Sequence, residues 1–158
     1  MNATELQLGI QYSIDEIVPH AAGMSLLNEL KAYNDESIVV AVAVTERTEF
    51  CVPGKGVPAW VGIEYMAQAV GAFSGIEDVQ RGARPRIGLL LGTRRYRAEW
   101  DYFPVGSRLV ITAHLQLRGE EDLVGFDCTI ECDGKCVARG DVKAIRPHNV
   151  LELIKAQS

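Results

Sequence analysis

One carboxylate, Glu64, interrupts the stretch from Gly56 to Ile76, where no other side chain carries charge near neutrality. Placing a lone carboxylate in apolar surroundings is costly, so such a group takes up a proton or finds a partner. A carboxylic acid kept neutral near physiological pH is a proton donor. Glu64 is therefore the leading candidate for acid chemistry. Cys51 carries a potential nucleophile, but no base is visible beside it in the sequence. The element that must position Glu64 is the segment Val57-Pro-Ala-Trp-Val-Gly-Ile-Glu-Tyr-Met-Ala-Gln-Ala-Val-Gly-Ala-Phe73. Pro58 suits the first turn of a helix. Gly62, Ala67, Ala69, Gly71 and Ala72 suit close packing on several sides. A helix apolar all round belongs in a core.

The remaining composition narrows the function classes. A chain of 158 residues, 47% hydrophobic and 23% charged, is expected to fold as one domain spanning 1–158. The opening residues, Met-Asn-Ala-Thr-Glu-Leu-Gln-Leu, lack the basic start and long apolar run of a secretory signal, and the expected location is the cytoplasm. Glu64, Gln68 and the four glycines between Gly56 and Gly75 argue against a membrane span. A net charge of −5 argues against general nucleic-acid binding. Cys51, Cys128, Cys132 and Cys136 lack the paired spacing of a zinc site and read as reduced structural thiols. The charge is uneven, however: Arg81, Arg84, Arg86, Arg94, Arg95 and Arg97 are six of the 16 basic residues. They form either a solvated edge or a docking patch for an anionic ligand or acidic partner.

Around the central helix the pattern is mostly strand. Ser13-Ile-Asp-Glu16 matches a capping box and starts a short helix that Pro19 must end. Met24 to Leu30 is read as a first strand. From Glu36 to Glu46, Ile38, Val40, Val42 and Val44 share one face. Ile87 to Trp100 is a further strand, and Phe103 to Gly106 a turn. From Arg108 to Arg118, Leu109, Ile111, Ala113, Leu115 and Leu117 face one way, against polar residues on the other. Asp133-Gly134 marks a hairpin turn. A three-residue loop there would pair Glu131 with Lys135, Asp127 with Arg139 and Cys128 with Ala138, keeping charge outside and apolar groups inside. The sum is an α+β architecture, an antiparallel sheet curled around one apolar helix. Its exposed edges predict a homodimer or a heterodimer with a related chain.

This arrangement resembles the hotdog fold, and the residues resemble the 3-hydroxyacyl-(acyl carrier protein) dehydratases within it. The similarity covers residues 14 to 146, carried by Val18-Pro-His20, Met24-Ser-Leu-Leu27, the Glu64-Tyr-Met-Ala-Gln68 element, Gly92 to Phe103 and Pro104-Val-Gly106. More narrowly, the Pro-His start and Leu90-Leu-Gly-Thr-Arg-Arg-Tyr96 resemble dehydratase-like proteins encoded with aryl polyene pigment pathways. The resemblance implies dehydration of 3-hydroxyacyl thioesters to trans-2-enoyl thioesters on acyl carrier protein, with no metal or other cofactor. Glu64 matches the helix acid. Ala59 and Trp60 occupy the helix-start positions whose amides polarise the thioester carbonyl, Ala59 replacing the usual glycine. Gln68 lies one turn after Glu64. Where the usual catalytic histidine would stand, fourteen residues before the acid, this chain has Phe50. His20 matches another family histidine and is the candidate base. Phe50 and Trp60 are candidates to contact substrate, and Arg94 and Arg95 to dock the carrier protein or its phosphopantetheine phosphate. Two alternatives remain open: an acyl thioesterase with Glu64 as general base, and a non-catalytic partner of a related dehydratase.

Overall fold

The structure is a computed structural model that describes residues 6–8, 12–18, 25–85 and 88–145. The first elements are β1 (Gln7–Leu8), the single helical turn α1 (Ile14–Ile17), β2 (Glu29–Tyr33) and β3 (Ser37–Ala43). Next come β4 (Val57–Pro58), a 3-10 turn (Ala59–Val61) and the long helix α2 (Gly62–Gln80). The chain finishes with β5 (Leu89–Ala98), β6 (Tyr102–Phe103), β7 (Arg108–Arg118), β8 (Val124–Cys132) and β9 (Lys135–Ile145). Seven strands form one antiparallel sheet in the order β1-β2-β3-β7-β8-β9-β5, while β4 and β6 pair apart from it. The sheet wraps α2, which lies against β3, β7, β8 and β9 with α1 across it. This is the hotdog arrangement. None of the described helices is long and apolar enough to cross a membrane.

Alternation in β3 and β7 works as the sequence implies. Ile38, Val40, Val42 and Val44 are buried, as are Leu109, Ile111 and Ala113 on the neighbouring strand. They meet Tyr65, Met66, Ala69, Val70 and Phe73 of α2 in one core. Phe73 stands edge-to-face with Phe126 of β8, ring centres 5.1 Å apart.

Several elements differ from the sequence reading. The strand after α1 begins at Glu29, not Met24. Asn28 starts the pairing, with its N–H on the Ala41 carbonyl and its Oδ1 accepting the Ala43 N–H. Pro58 is extended (φ −55°, ψ 139°) and precedes the 3-10 turn instead of lying in the helix's first turn. The segment Glu77 to Pro85 reads as a polar loop in sequence, but the helix continues through its first residues to Gln80. The Ser13 hydroxyl meets the Glu16 carboxylate at 3.1 Å and makes no capping bond to the backbone. Pro19 lies outside the described residues. Leu117 is exposed instead of facing the core, because a bulge between Leu115 and Leu117 shifts the register and sets Leu117 opposite Gly125.

The β8–β9 hairpin also corrects the expected register. Its loop is the two residues Asp133 (φ 51°) and Gly134 (φ 79°), with Cys132 opposite Lys135. Positive φ at both central residues is the type I′ signature that Asp-Gly favours. The mixing of faces that this loop would cause is removed one step later. A bulge inserts Val137, so Ile130 faces Ala138, Cys128 faces Gly140 and Asp127 faces Asp141. Turn chemistry set the loop, and burial was satisfied by the bulge.

Candidate active site

At the start of α2 the backbone is held by strand-like contacts. The Ala59 N–H donates to the Asp101 carbonyl at 2.9 Å, beside the β4–β6 pair. The Gly62 N–H donates back to the Ala59 and Trp60 carbonyls. Of the intervening N–H groups, that of Val61 closes the 3-10 turn on the Pro58 carbonyl, while that of Trp60 has no main-chain acceptor among the described residues. The Trp60 N–H is the donor available to a ligand, strengthened by the positive end of the α2 dipole. Ala59, although at the matching position, has its own amide already engaged.

Glu64 lies in the first turn of α2, one turn after Trp60. Its side chain is exposed, contrary to the burial expected from the surrounding sequence. The reason is geometric. Tyr65, Met66 and Ala69 take the side of α2 that the sheet covers, leaving Ile63, Glu64, Ala67 and Gln68 on a side it covers incompletely. Two aromatics share this open side of the site: Trp60 is 57% exposed and Phe50 49% exposed, packed edge-to-face with ring centres 5.5 Å apart. Phe50 holds φ 67°, a left-handed conformation that costs a residue with a side chain about 1 kcal/mol. Its ring neither donates nor accepts a proton.

His20 lies outside the described residues. On either side of it the chain is fixed to α2. The Ile17 carbonyl lies so close to Gly75 that an added Cβ would stand 1.6 Å away, and the Leu26 N–H donates to Gln68 Oε1 at 2.7 Å. Gln68 thus anchors the chain at Leu26. Arg94 and Arg95 are both exposed on β5, with Arg95 Nε 4.0 Å from the Asp141 carboxylate. They stand on the outer side of the sheet. A cleft of about 660 Å³ there is lined by Arg95, Arg97, Arg139, Asp127 and Asp141.

Two tyrosines, Tyr65 and Tyr96, lie beneath the turn. The Tyr96 hydroxyl, reaching inward from β5, donates to the Ala59 carbonyl at 2.5 Å. Tyr65 is fully buried and its hydroxyl has no hydrogen-bond partner among the described residues. Burial pushes both phenols up to about 12, with Cys51 and Tyr96 adding to the rise at Tyr65. Only the aromatic-polar character of these residues was visible in the sequence, and that does not distinguish a site from a core. Burial, with Asp127 and Asp141 nearby, also pushes the Cys128 thiol up to about 12, which marks it as an unreactive core thiol.

Comparison with solved structures shows what this geometry accompanies elsewhere. The chain is 32% identical to a chain of the dehydratase heterocomplex ApeI:P from Xenorhabdus doucetiae, with a TM-score of 0.84 over 93% of this chain and 98% of that one. A hypothetical thioesterase with coenzyme A from Streptococcus pneumoniae shares the fold at 14% identity and a TM-score of 0.58, covering 75% of this chain and 84% of that one. The PaaI protein of the E. coli phenylacetic acid degradation operon does so at 16% and 0.58, covering 74% and 81%. No curated protein matches the chain in sequence. The family described as ApeP-like, ApeP dehydratase, matches residues 12–155. With that match and the ApeI:P likeness, the chain belongs to the ApeP-like dehydratase family.

Proposed function

We propose that this chain dehydrates 3-hydroxyacyl thioesters carried on acyl carrier protein, working as one of a pair of hotdog subunits. The observation that carries the reading is the placement of Glu64 one turn beyond the Trp60 amide, which has no main-chain acceptor among the described residues, at the start of α2. In this reading the Trp60 N–H binds the thioester oxygen and stabilises negative charge as the C2 proton leaves. The C2–H electrons form the C2=C3 bond while the C3–O bond breaks. Glu64 gives its proton to the departing hydroxyl, which leaves as water, and solvent returns the proton held by the base. Acid, base and carbonyl polarisation suffice, so no cofactor is invoked.

The second subunit is favoured by what this chain leaves open. Glu64, Trp60 and Phe50 are exposed, and β5 is an edge strand with Leu90 and Leu91 exposed. A related hotdog chain packed there would give Glu64 the apolar cover that an acid of this kind requires. The heterocomplex named for the ApeI:P structure supports such a pairing. Phe50 supplies no base, so the proton acceptor is His20 or a group of the second subunit. Arg94 and Arg95 are the proposed contacts for the acidic carrier or its phosphopantetheine phosphate, and the product feeds fatty-acid-like or polyene chains. Phe50 also favours a second reading, in which the chain supports a competent dehydratase without catalysing.

The test assays enoyl formation and free-thiol release on 3-hydroxyacyl carrier-protein thioesters, with the chain alone and paired with a related hotdog dehydratase. Enoyl product that disappears in Glu64→Gln is the expected result. Thiol release without enoyl product identifies a thioesterase instead. Enoyl formation in the pair that is indifferent to Glu64→Gln leaves only the supporting role.

A further inference from the structure

Irregularities in three separate elements converge on Tyr96. Between Arg94 and Arg97, β5 carries one residue more than its neighbour, since Arg94 pairs with Asp141 and Arg97 with Arg139. The extra residue is absorbed around Arg95, at φ 55° in the left-handed region. In an unbroken strand, alternation from the exposed Arg94 would send Arg95 inward and Tyr96 out to solvent. The bulge leaves both arginines exposed and turns Tyr96 toward α2. Two glycines make room for it. A Cβ on Gly140 would lie 3.2 Å from Tyr96 Cδ1, and one on Gly62 would lie 2.1 Å from the Tyr96 hydroxyl.

The hydroxyl donates to the Ala59 carbonyl. That carbonyl and the Trp60 N–H belong to one planar, trans peptide unit, so they point in opposite directions. Holding the oxygen from inside the sheet aims the Trp60 N–H away from it. Accepting a bond at the oxygen also polarises the N–H at the other end of the unit.

We propose that Tyr96 is a positioning residue for the carbonyl-binding turn at residues 59–61, fixing and strengthening the Trp60 N–H donor through the Ala59 carbonyl. This role rests on the reading of the turn given above. The other end of Ala59 is secured independently, by the Asp101 carbonyl on its N–H. A phenol raised to about 12 stays protonated at neutral pH, so the donor is always present.

The test uses Tyr96→Phe in the full chain paired with a related hotdog dehydratase. Two readouts are taken: steady-state dehydration, and the infrared carbonyl stretch of bound S-butanoyl pantetheine labelled with carbon-13 at the carbonyl. In the wild type the stretch moves to lower frequency on binding. Tyr96→Phe is expected to lose about half of that shift and about tenfold in kcat, with KM within about twofold and an unchanged melting temperature. Gly62→Ala, whose methyl displaces the hydroxyl without removing it, reproduces the smaller shift. A full shift and full kcat in Tyr96→Phe overturn the role of Tyr96 alone. A wild-type stretch that stays at its solution position overturns the carbonyl-binding turn, and this inference with it.

Discussion

The two ends of α2 are built on opposite terms. The C-terminal half is covered over most of its surface: Phe73, Ser74, Gly75, Ile76 and Asp78 are buried, and Gly75 admits the Ile17 carbonyl to contact distance. Ion pairs pin the rim, Arg81 to Asp78 at 3.1 Å and Arg118 to Glu77 at 3.0 Å. At the N-terminal half Trp60, Glu64 and Phe50 face outward and the Trp60 amide lacks a main-chain acceptor among the described residues. One end uses its contacts for stability. The other withholds groups from the fold and so keeps them available for a ligand or a second subunit.

Exchanging single side chains at the two ends separates these roles. Glu64→Gln is expected to lower enoyl formation by about a hundredfold to a thousandfold. Because the side chain is exposed, urea unfolding should move by no more than about 0.5 kcal/mol. A rate loss matched by an equal stability loss would break the contrast. Gly75→Ala should do the reverse. Its methyl meets main chain, not a flexible side-chain tip, so unfolding free energy falls by about 3 kcal/mol. Turnover per folded molecule, measured at low temperature, stays near wild type.

Gln68→Ala tests the junction between the ends. It leaves the part-buried Leu26 N–H without its acceptor, costing about 1–2 kcal/mol in urea unfolding. If the segment that Gln68 anchors carries the base, dehydration falls further than stability explains, which sharpens the comparison.

A separate effect concerns the core at alkaline pH. Cys128, Tyr65 and Tyr96 hold their protons to about 12 in the folded chain, against ordinary values of 9.0 for the thiol and 10.0 for the phenols. The unfolded chain therefore loses those protons first, and binds fewer of them between about pH 9 and 12. The stability linked to these groups is complete below pH 9 and declines through that window. The urea midpoint should fall between pH 8 and 10.5, and less steeply in Cys128→Ala. A midpoint that does not decline over that interval would show that burial of these groups is looser than described.

How much of this was legible beforehand depends on the range of the cause. Alternation in β3 and β7 is a local property, and Ile38, Val40, Leu109 and Ile111 were legible as core. The uncharged segment identified α2, and the Glu64-Tyr-Met-Ala-Gln68 element its family. Asp133-Gly134 marked the turn, but not the bulge at Val137 that corrects its phase, because that bulge answers to packing across β8. The apolar neighbours of Glu64 in sequence imply that it is buried. Its exposure depends on which side of α2 the sheet covers.

The amino-acid order by itself determined the helix, the strands on either side of it and the one carboxylate between them, since period and charge are written along the chain. Tertiary structure alone decided that Ala59 has its amide engaged by Asp101, and that an extra residue at Arg95 turns Tyr96 inward. Those outcomes depend on strands distant in sequence meeting at one turn, and no local pattern encodes that meeting.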